Sequence, residues 1–335
     1  MKGYRQLVET AVEAVTIHSQ TSYSWFNQVA HQLPERVEAE MTPATARAYL
    51  HYAMQSHLYE NFYCRGRAVP VSNSYAWPVI PRFSPFVKAL SASNSGSGTR
   101  EPGWQVRGVE NRTVVVENHG LSLWVPLEHT WPRVRGALLP NKIVSVSFPN
   151  ELLQLSPGFY MALGNRWLDV EQGPVLRLYW HLRSEGADRL IAAATARLNR
   201  DRLPFRLKVV NEPERYTRCD AGVLYTRKRD YSLLARLLHE VYAAVSPYLE
   251  QATPAFTKRL APGLGLAEDP GSSESFGMHR CGLLAEGLIR AHEQAKQSVA
   301  ERMTIVDECF EQAGVRLAAP FLNPGSSDRY EFSVN

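Results

Sequence analysis

"PVLRLYWHL" at 174–182, "EGADRLIAAATARLNR" at 185–200 and "PFRLKVV" at 204–210 read in order as strand, helix and strand. The outer two are short runs rich in β-branched and aromatic residues. The middle one carries an apolar stripe at Leu190, Ile191, Ala194 and Leu198, the spacing of one helix face. Side chains alternate along a strand, so Arg177, Tyr179 and His181 share one face, and Leu176, Leu178, Trp180 and Leu182 the other. In the next strand Arg206 and Lys208 lie opposite Phe205, Leu207 and Val209. If the helix covers the apolar sides, both polar faces turn towards one cleft, where His181 and Lys208 can approach each other.

Outward from this unit the pattern continues. "AGVLYT" (221–226) reads as a strand, "DYSLLARLLHEVYAAVSPYL" (230–249) as a helix opened by Asp230, and 278–297 and 299–314 as helices. Upstream, "TVVVENHGLSLWVPL" (113–127) is two strands around an Asn118-His119-Gly120 turn, and "KIVSVSF" (142–148) is another strand. "SPGFYMALGN" (156–165), punctuated by glycine, reads as a turn-rich connection. Residues 1–33 and 42–64 read as helices. The second has Thr42 as N-cap, Pro43 in its first turn and an apolar face at Ala46, Leu50, Met54 and Leu58. Proline then becomes frequent (Pro70, Pro78, Pro81, Pro85), so this helix does not continue, and "SASNSGSGTREPG" (91–103) reads as a flexible Ser/Gly linker or surface loop, the best candidate for a boundary. The fold class expected is α+β. A helical N-terminal region, 1–95, suited to partner docking, precedes a mixed or antiparallel β-sheet domain with packed helices, 104–335.

Composition narrows the function. The chain has 335 residues, enough for roughly two domains of about 150 residues. Its net charge is only +4, yet residues 197–236 hold eleven Lys/Arg against five Asp/Glu. Charge so localised suits an anionic ligand better than a nucleic-acid footprint. No apolar run approaches the ~18 residues of a membrane span, and "MKGYRQLVETAVEAV" is too acidic for a signal or transit peptide. Cys64, Cys219, Cys281 and Cys309 lack CxxC spacing and read as free thiols of a cytoplasmic protein, with no metal site. "PGLGLAEDPG" (262–271) lacks the strand–GxGxxG–helix context and reads as a loop. His18, Tyr23, Trp25 and His31 show no ligand spacing and read as packing.

His181, Lys208, Arg218 and Arg280 are the residue types needed to eliminate phosphate from a phosphorylated residue. A base removes the α-proton, and a lysine serves if nearby arginines depress its pKa. Imidazole can protonate the leaving phosphate, and guanidinium forks neutralise it. Neither water, metal nor cofactor is consumed. Each residue also has a plainer reading. A strand histidine is commonly structural, and a lysine among apolar neighbours snorkels to solvent. Arg218 and Asp220, two apart, read equally well as an ion pair. In "SFGMHRCGLLAEGL" (275–288), Arg280 and Glu286 read equally well as residues that fix helix packing.

The series "RLYWHL", "LNRDRLPFRLKVV", "YTRCDAGVLYTRKRDY", "PAFTKRLAPGLGLAEDPGSSESFGMHRCGLLAEGL" and "PFLNPG", spanning roughly 155–325, resembles the Hop A family of type III secretion effectors. Within it the series is most similar to the lyases of class V lanthipeptide and thioamitide biosynthesis. The resemblance implies a cofactor-free phosphoserine/phosphothreonine lyase acting on a phosphorylated ribosomal precursor peptide. Its products would be dehydroalanine and dehydrobutyrine, and its partner an aminoglycoside-phosphotransferase-like Ser/Thr kinase. Through a distant similarity to phosphothreonine lyases it implies Lys208 as base, His181 as acid and Arg218 on phosphate, with Arg280, Arg206 and Lys258 as further phosphate contacts. The lyases' Lys-x-x-His approach is replaced here by Tyr179-Trp180-His181, which leaves Tyr179 and His279 as rival acids. The alternative is a non-catalytic, effector-like module that docks a kinase and a phosphorylated or acidic partner.

Overall fold

A computed structural model describes residues 3–70, 84–118, 120–132, 140–153, 156–169, 173–272 and 274–333. The chain starts with α1 (Tyr4–Ala14), β1 (Val15–Ser19), β2 (Ser22–Trp25), β3 (Gln28–His31), α2 (Glu35–Ala39) and α3 (Pro43–Leu58). The helix expected over 1–33 therefore stops at Ala14. Beyond it "VTIHSQTSYSW" is rich in β-branched, hydroxyl and aromatic residues, which favour a pleated sheet. Phe26 and Asn27, both at positive φ, make the two-residue turn between β2 and β3. Helix α3 is as expected: the Thr42 hydroxyl accepts a hydrogen bond from the Thr45 amide, and Ala46, Leu50, Met54 and Leu58 are buried. It continues as one π-helical turn, Tyr59–Tyr63. Pro78 and Pro81 lie outside the described residues, and Pro85 opens the next helix.

After α4 (Pro85–Ser93) comes a five-stranded antiparallel sheet: β4 (Thr99–Glu110), β5 (Thr113–Asn118), β6 (Leu121–Pro126), β7 (Thr130–Trp131) and β8 (Ile143–Phe148), in the order β6-β5-β4-β8-β7. The β5–β6 hairpin and β8 agree with expectation; Gly120 is at φ +77°, while His119 lies outside the described residues. Of the linker or loop expected over 91–103, only 94–98 lie outside regular elements. Residues 91–93 end α4, 99–103 open β4, and Asn94 between them donates to the Asn150 carbonyl and the Tyr160 hydroxyl.

The remainder runs β9 (Glu151–Leu152), β10 (Phe159–Leu163), β11 (Val175–Trp180), α5 (Ala187–Arg200), β12 (Phe205–Val210), β13 (Gly222–Arg227), α6 (Tyr231–Val245), β14 (Lys258–Ala261), β15 (Leu264–Glu268), α7 (Phe276–Glu293) and α8 (Val299–Gln312). Seven of these strands form an antiparallel sheet, β14-β15-β11-β13-β12-β10-β9. Two expectations fail here. The segment 156–165 contains β10, all five of whose residues are buried, so no alternation marks it as a strand. The glycine-rich 262–271 holds β15, with Gly263 at φ +69° in the turn from β14. Asp230 precedes α6 but does not cap it with its side chain; its carboxylate accepts from Arg227 instead.

Helix α5 covers the apolar face of the seven-stranded sheet. Leu190 lies 3.1 Å from where a Gly222 Cβ would stand, next to Trp180. On the other side α3 packs on α7, and α7 on α8. One hydrophobic core joins Val8, Met54, Phe62 and Leu90 of the first 95 residues to Leu178, Phe205, Leu238 and Phe310. A separate core of Trp104, Val106, Val114, Val116, Val125, Val144 and Val146 holds the five-stranded sheet. The fold is α+β. The N-terminal elements and the seven-stranded sheet share a core, and strands β4–β8 have their own.

Candidate anion site on the seven-stranded sheet

Strand register fixes which side chains meet. Lys208 pairs with Val223, Val223 with Tyr179 and Tyr179 with Gly265, so these form one row across the face away from α5. Arg206, Tyr225 and Arg177 form the adjacent row. His181 lies one row to the other side, its amide donating to the Gly263 carbonyl at 2.8 Å. With strands about 4.8 Å apart and about 3.3 Å of rise per residue, the His181 and Lys208 Cα atoms are roughly 12 Å apart. Long side chains reaching inwards can span that gap.

Asp220 occupies the middle. It is 4% exposed, and Arg218 grips it with Nε on Oδ1 at 2.5 Å and Nη2 on Oδ2 at 2.9 Å. The Tyr59 hydroxyl donates to Asp220 Oδ2 and accepts from Arg218 Nη2, both at 3.0 Å; Nη2 also reaches Cys64 Sγ at 3.2 Å. Burial opposes ionisation of Asp220. The Arg218 charge and hydrogen bonds, then Lys208 and the Tyr59 hydroxyl, outweigh it and hold the carboxyl below the usual aspartate range. Arg218 thus presents an edge already neutralised on one side. The π-helical turn explains Tyr59: its ring stacks on Tyr63 at 5.2 Å, and both rings press on the Cβ-less Gly277 of α7.

Around this pair stand the two candidate proton carriers. The Lys208 amine rests on aromatic faces, 4.4 Å from the Phe159 centroid and 5.8 Å from Tyr225. The Arg218 guanidinium shares the same Phe159 ring at 5.8 Å. His181 Nδ1 is 3.0 Å from the Ala252 carbonyl, which fixes Nδ1 as the protonated nitrogen and leaves Nε2 free to face a ligand. Burial lowers its pKa from the ordinary histidine value. The Ala252 hydrogen bond and the charges of Glu250 and Asp220 oppose that, and Arg65 adds to it. Tyr179 is 3% exposed, its hydroxyl lacks a partner of good geometry, and burial raises its pKa.

The structure does not bring the remaining candidates to this group. Arg280 is 1% exposed and donates to the Pro320 and Leu322 carbonyls and to His279 Nδ1. It latches the C-terminal segment onto α7, with His279 as its neighbour. Lys258 pairs in register with Leu266, on the opposite face of the sheet from Lys208, and its amine is bound to Asp328 at 2.6 Å. Arg206 is on the correct face but turns away, lying over Trp167 at 4.9 Å and donating to the Leu168 carbonyl. Tyr59 was not among the expected residues; it lies 159 positions from Arg218 and outside the motif series. Among the described residues, no group of three or more His, Cys, Asp or Glu gathers as a metal site, and no helix is long and apolar enough to cross a membrane.

These features define an α+β protein with a basic, partly open site built on one face of an antiparallel sheet. Residues 151–322, just over half of the chain, match the HopA1 effector protein family, and the chain belongs to that family. Among solved structures, the effector protein from Pseudomonas syringae pv. tomato strain DC3000 is similar over 81% of this chain and 90% of its own, at 16% identity and a TM-score of 0.47. The effector from Pseudomonas syringae pv. syringae strain 61 is similar over 50% of this chain and 63% of its own, at 17% identity and a TM-score of 0.39. No curated protein matches the chain.

Proposed function

We propose that this chain is a phosphoserine/phosphothreonine lyase that eliminates phosphate from a phosphorylated ribosomal precursor peptide, working beside a Ser/Thr kinase. The observation that carries this reading is Arg218, bound to Asp220, sharing the Phe159 ring with Lys208, with His181 on the same face of the sheet. In the reaction the Lys208 amine takes the α-proton of the phosphorylated residue. The Cα–H electrons form the Cα=Cβ bond as the Cβ–O bond breaks, and the phosphate leaves with the electron pair. His181, entering the step as the imidazolium with Nδ1–H held by the Ala252 carbonyl, gives its Nε2 proton to the departing oxygen and is left neutral, and a free Arg218 N–H holds that oxygen. Dehydroalanine or dehydrobutyrine remains.

Arg280 and Lys258, committed to Pro320, Leu322 and Asp328, are left out of this scheme. Arg218, already paired with Asp220, favours a second reading: a non-catalytic module that docks a kinase and a phosphorylated partner. Intact mass of a phosphothreonine peptide incubated with the protein and its kinase separates the two. Loss of about 98 Da, the mass of phosphoric acid, supports the lyase, and a loss of about 80 Da means hydrolysis. An unchanged mass refutes the lyase and leaves the module.

A further inference from the structure

A cavity of about 570 Å³ opens between β4 of the five-stranded sheet and the β10–β12 end of the seven-stranded one. Arg100, Arg166, Arg206 and Arg227 line it, against Glu101 and Asp169. Arg227 is neutralised by Asp230 at 2.6 Å, and Glu101 accepts from the Trp104 indole at 3.0 Å. Arg206 and Arg100 lie on aromatic platforms, over Trp167 at 4.9 Å and over Trp131 at 4.6 Å; Arg206 also donates to the Leu168 carbonyl and feels the charges of Glu101 and Asp169. Trp167 is itself stacked on Phe148 at 5.1 Å, so a second ring holds the Arg206 platform. Stacking occupies the face of a guanidinium and not its N–H edge, so Arg100 can still bind a carboxylate. Arg166 projects from an exposed position. On the β4 wall, which also carries Arg100, the ladder with β8 is interrupted between Glu101 and Trp104, and Pro102 and Gly103 line the cavity there.

Its position relative to Lys208 gives the cavity a role. Arg206 and Lys208 are two residues apart on the same face of β12, about 6.6 Å along the strand. The half-buried Tyr225 lies in Arg206's row and contacts Lys208, which makes one continuous surface. A peptide threaded along it in extended form advances about 3.3 Å per residue. The volume suits a few side chains, well short of a folded partner.

We propose that this cavity is a docking subsite for an acidic segment of the substrate peptide, taking carboxylates two to four residues from the phosphorylated residue; the word substrate here rests on the lyase reading. The test is fluorescence anisotropy at low salt with unphosphorylated peptides carrying Glu or Gln at those positions, on the full chain and on an Arg100→Gln/Arg166→Gln variant whose fold is checked by circular dichroism. The Glu peptide is expected to bind about tenfold more tightly, the product of two or three exposed ion pairs each worth a few-fold. In the variant the advantage should shrink below about twofold. Equal affinity of the two peptides for the unaltered protein overturns the proposal. So does an oligonucleotide of equal charge that binds more tightly through the same arginines. Because the probes carry no phosphate, a failure of elimination leaves this result standing, and a lyase indifferent to Glu would sink the subsite alone.

Discussion

Replacing Asp220 by Asn isolates the ion pair at the centre of the site. The side chains of Arg218 and Asp220 are 14% and 6% exposed, so the small values typical of surface pairs do not apply. Removing one partner strands a buried charge, which costs about 3–5 kcal/mol. The partly open Arg218 places Asp220→Asn towards about 3 kcal/mol, or roughly a hundredfold in an opening equilibrium. Cys64 and Cys219 supply the assay: both are buried, and the Cys219 amide donates to the Cys64 carbonyl at 2.7 Å, so thiol labelling followed by peptide mass spectrometry reports local opening. At pH 7 labelling of both thiols should accelerate roughly a hundredfold in Asp220→Asn. It should return most of the way in Asp220→Asn/Arg218→Met, where no charge is left unpaired. The pH dependence has a definite sign. The folded carboxyl titrates below the unfolded one, so its contribution is complete above the ordinary aspartate range and is lost as pH falls through the lowered folded value. Additive effects of the two substitutions, or acceleration below about fivefold, would refute the assignment of Asp220 as the partner that holds Arg218.

Arg280→Met should leave the Pro320 and Leu322 carbonyls without their donor and cost about 2–4 kcal/mol, read as faster limited proteolysis within 317–333; wild-type cleavage rates would contradict the latch. Gly277→Ala sets a methyl 2.5 Å from Tyr63 and 2.7 Å from Tyr59, and should destabilise by about 1–3 kcal/mol in chemical denaturation while loosening the Tyr59 hydroxyl from Asp220. His181 favours its neutral form in the fold, so its stabilising contribution is full above the ordinary histidine pKa and is lost as pH falls through the lowered folded value. The stability advantage of the unaltered protein over His181→Gln should therefore be larger at about pH 7.5 than at about pH 5; the opposite trend would mean a histidine stabilised in its charged form.

Strand β12 and helix α5 were legible because their apolar residues follow one face, which writes the period into the sequence; β11 is buried on both faces, and only Arg177 and His181 marked its polar side. Strand β10 was not, since a segment buried on both faces has no period to read. The three N-terminal strands were hidden behind the amphipathic start of α1, where polar and apolar residues continue to alternate closely enough to pass for a helix face. At the site, sequence supplied residue types and, through strand alternation, the common face of Lys208 and Arg206 and that of Tyr179 and His181. It could not tell Arg218 from Arg280. Both sit in apolar surroundings two residues or fewer from a polar neighbour, and what separates them is long-range. Arg280 meets carbonyls 40 and 42 positions away, whereas Arg218 meets a hydroxyl 159 positions away.

That hydroxyl changes what the N-terminal region is for. The family match begins at residue 151, yet Tyr59 and Cys64 both contact Arg218, and Phe62 packs at 5.5 Å on Phe256 in the core beneath. Docking alone would not require these contacts. A π-helical turn displaces the residues after it relative to an α-helix, and here it stacks Tyr59 and Tyr63 against Gly277 with the Tyr59 hydroxyl between Arg218 and Asp220. The π-helical end of α3 is therefore a wall of the site, and its electrostatics depend on it: without Tyr59, Asp220 keeps Arg218 but loses the third partner that fixes their shared geometry.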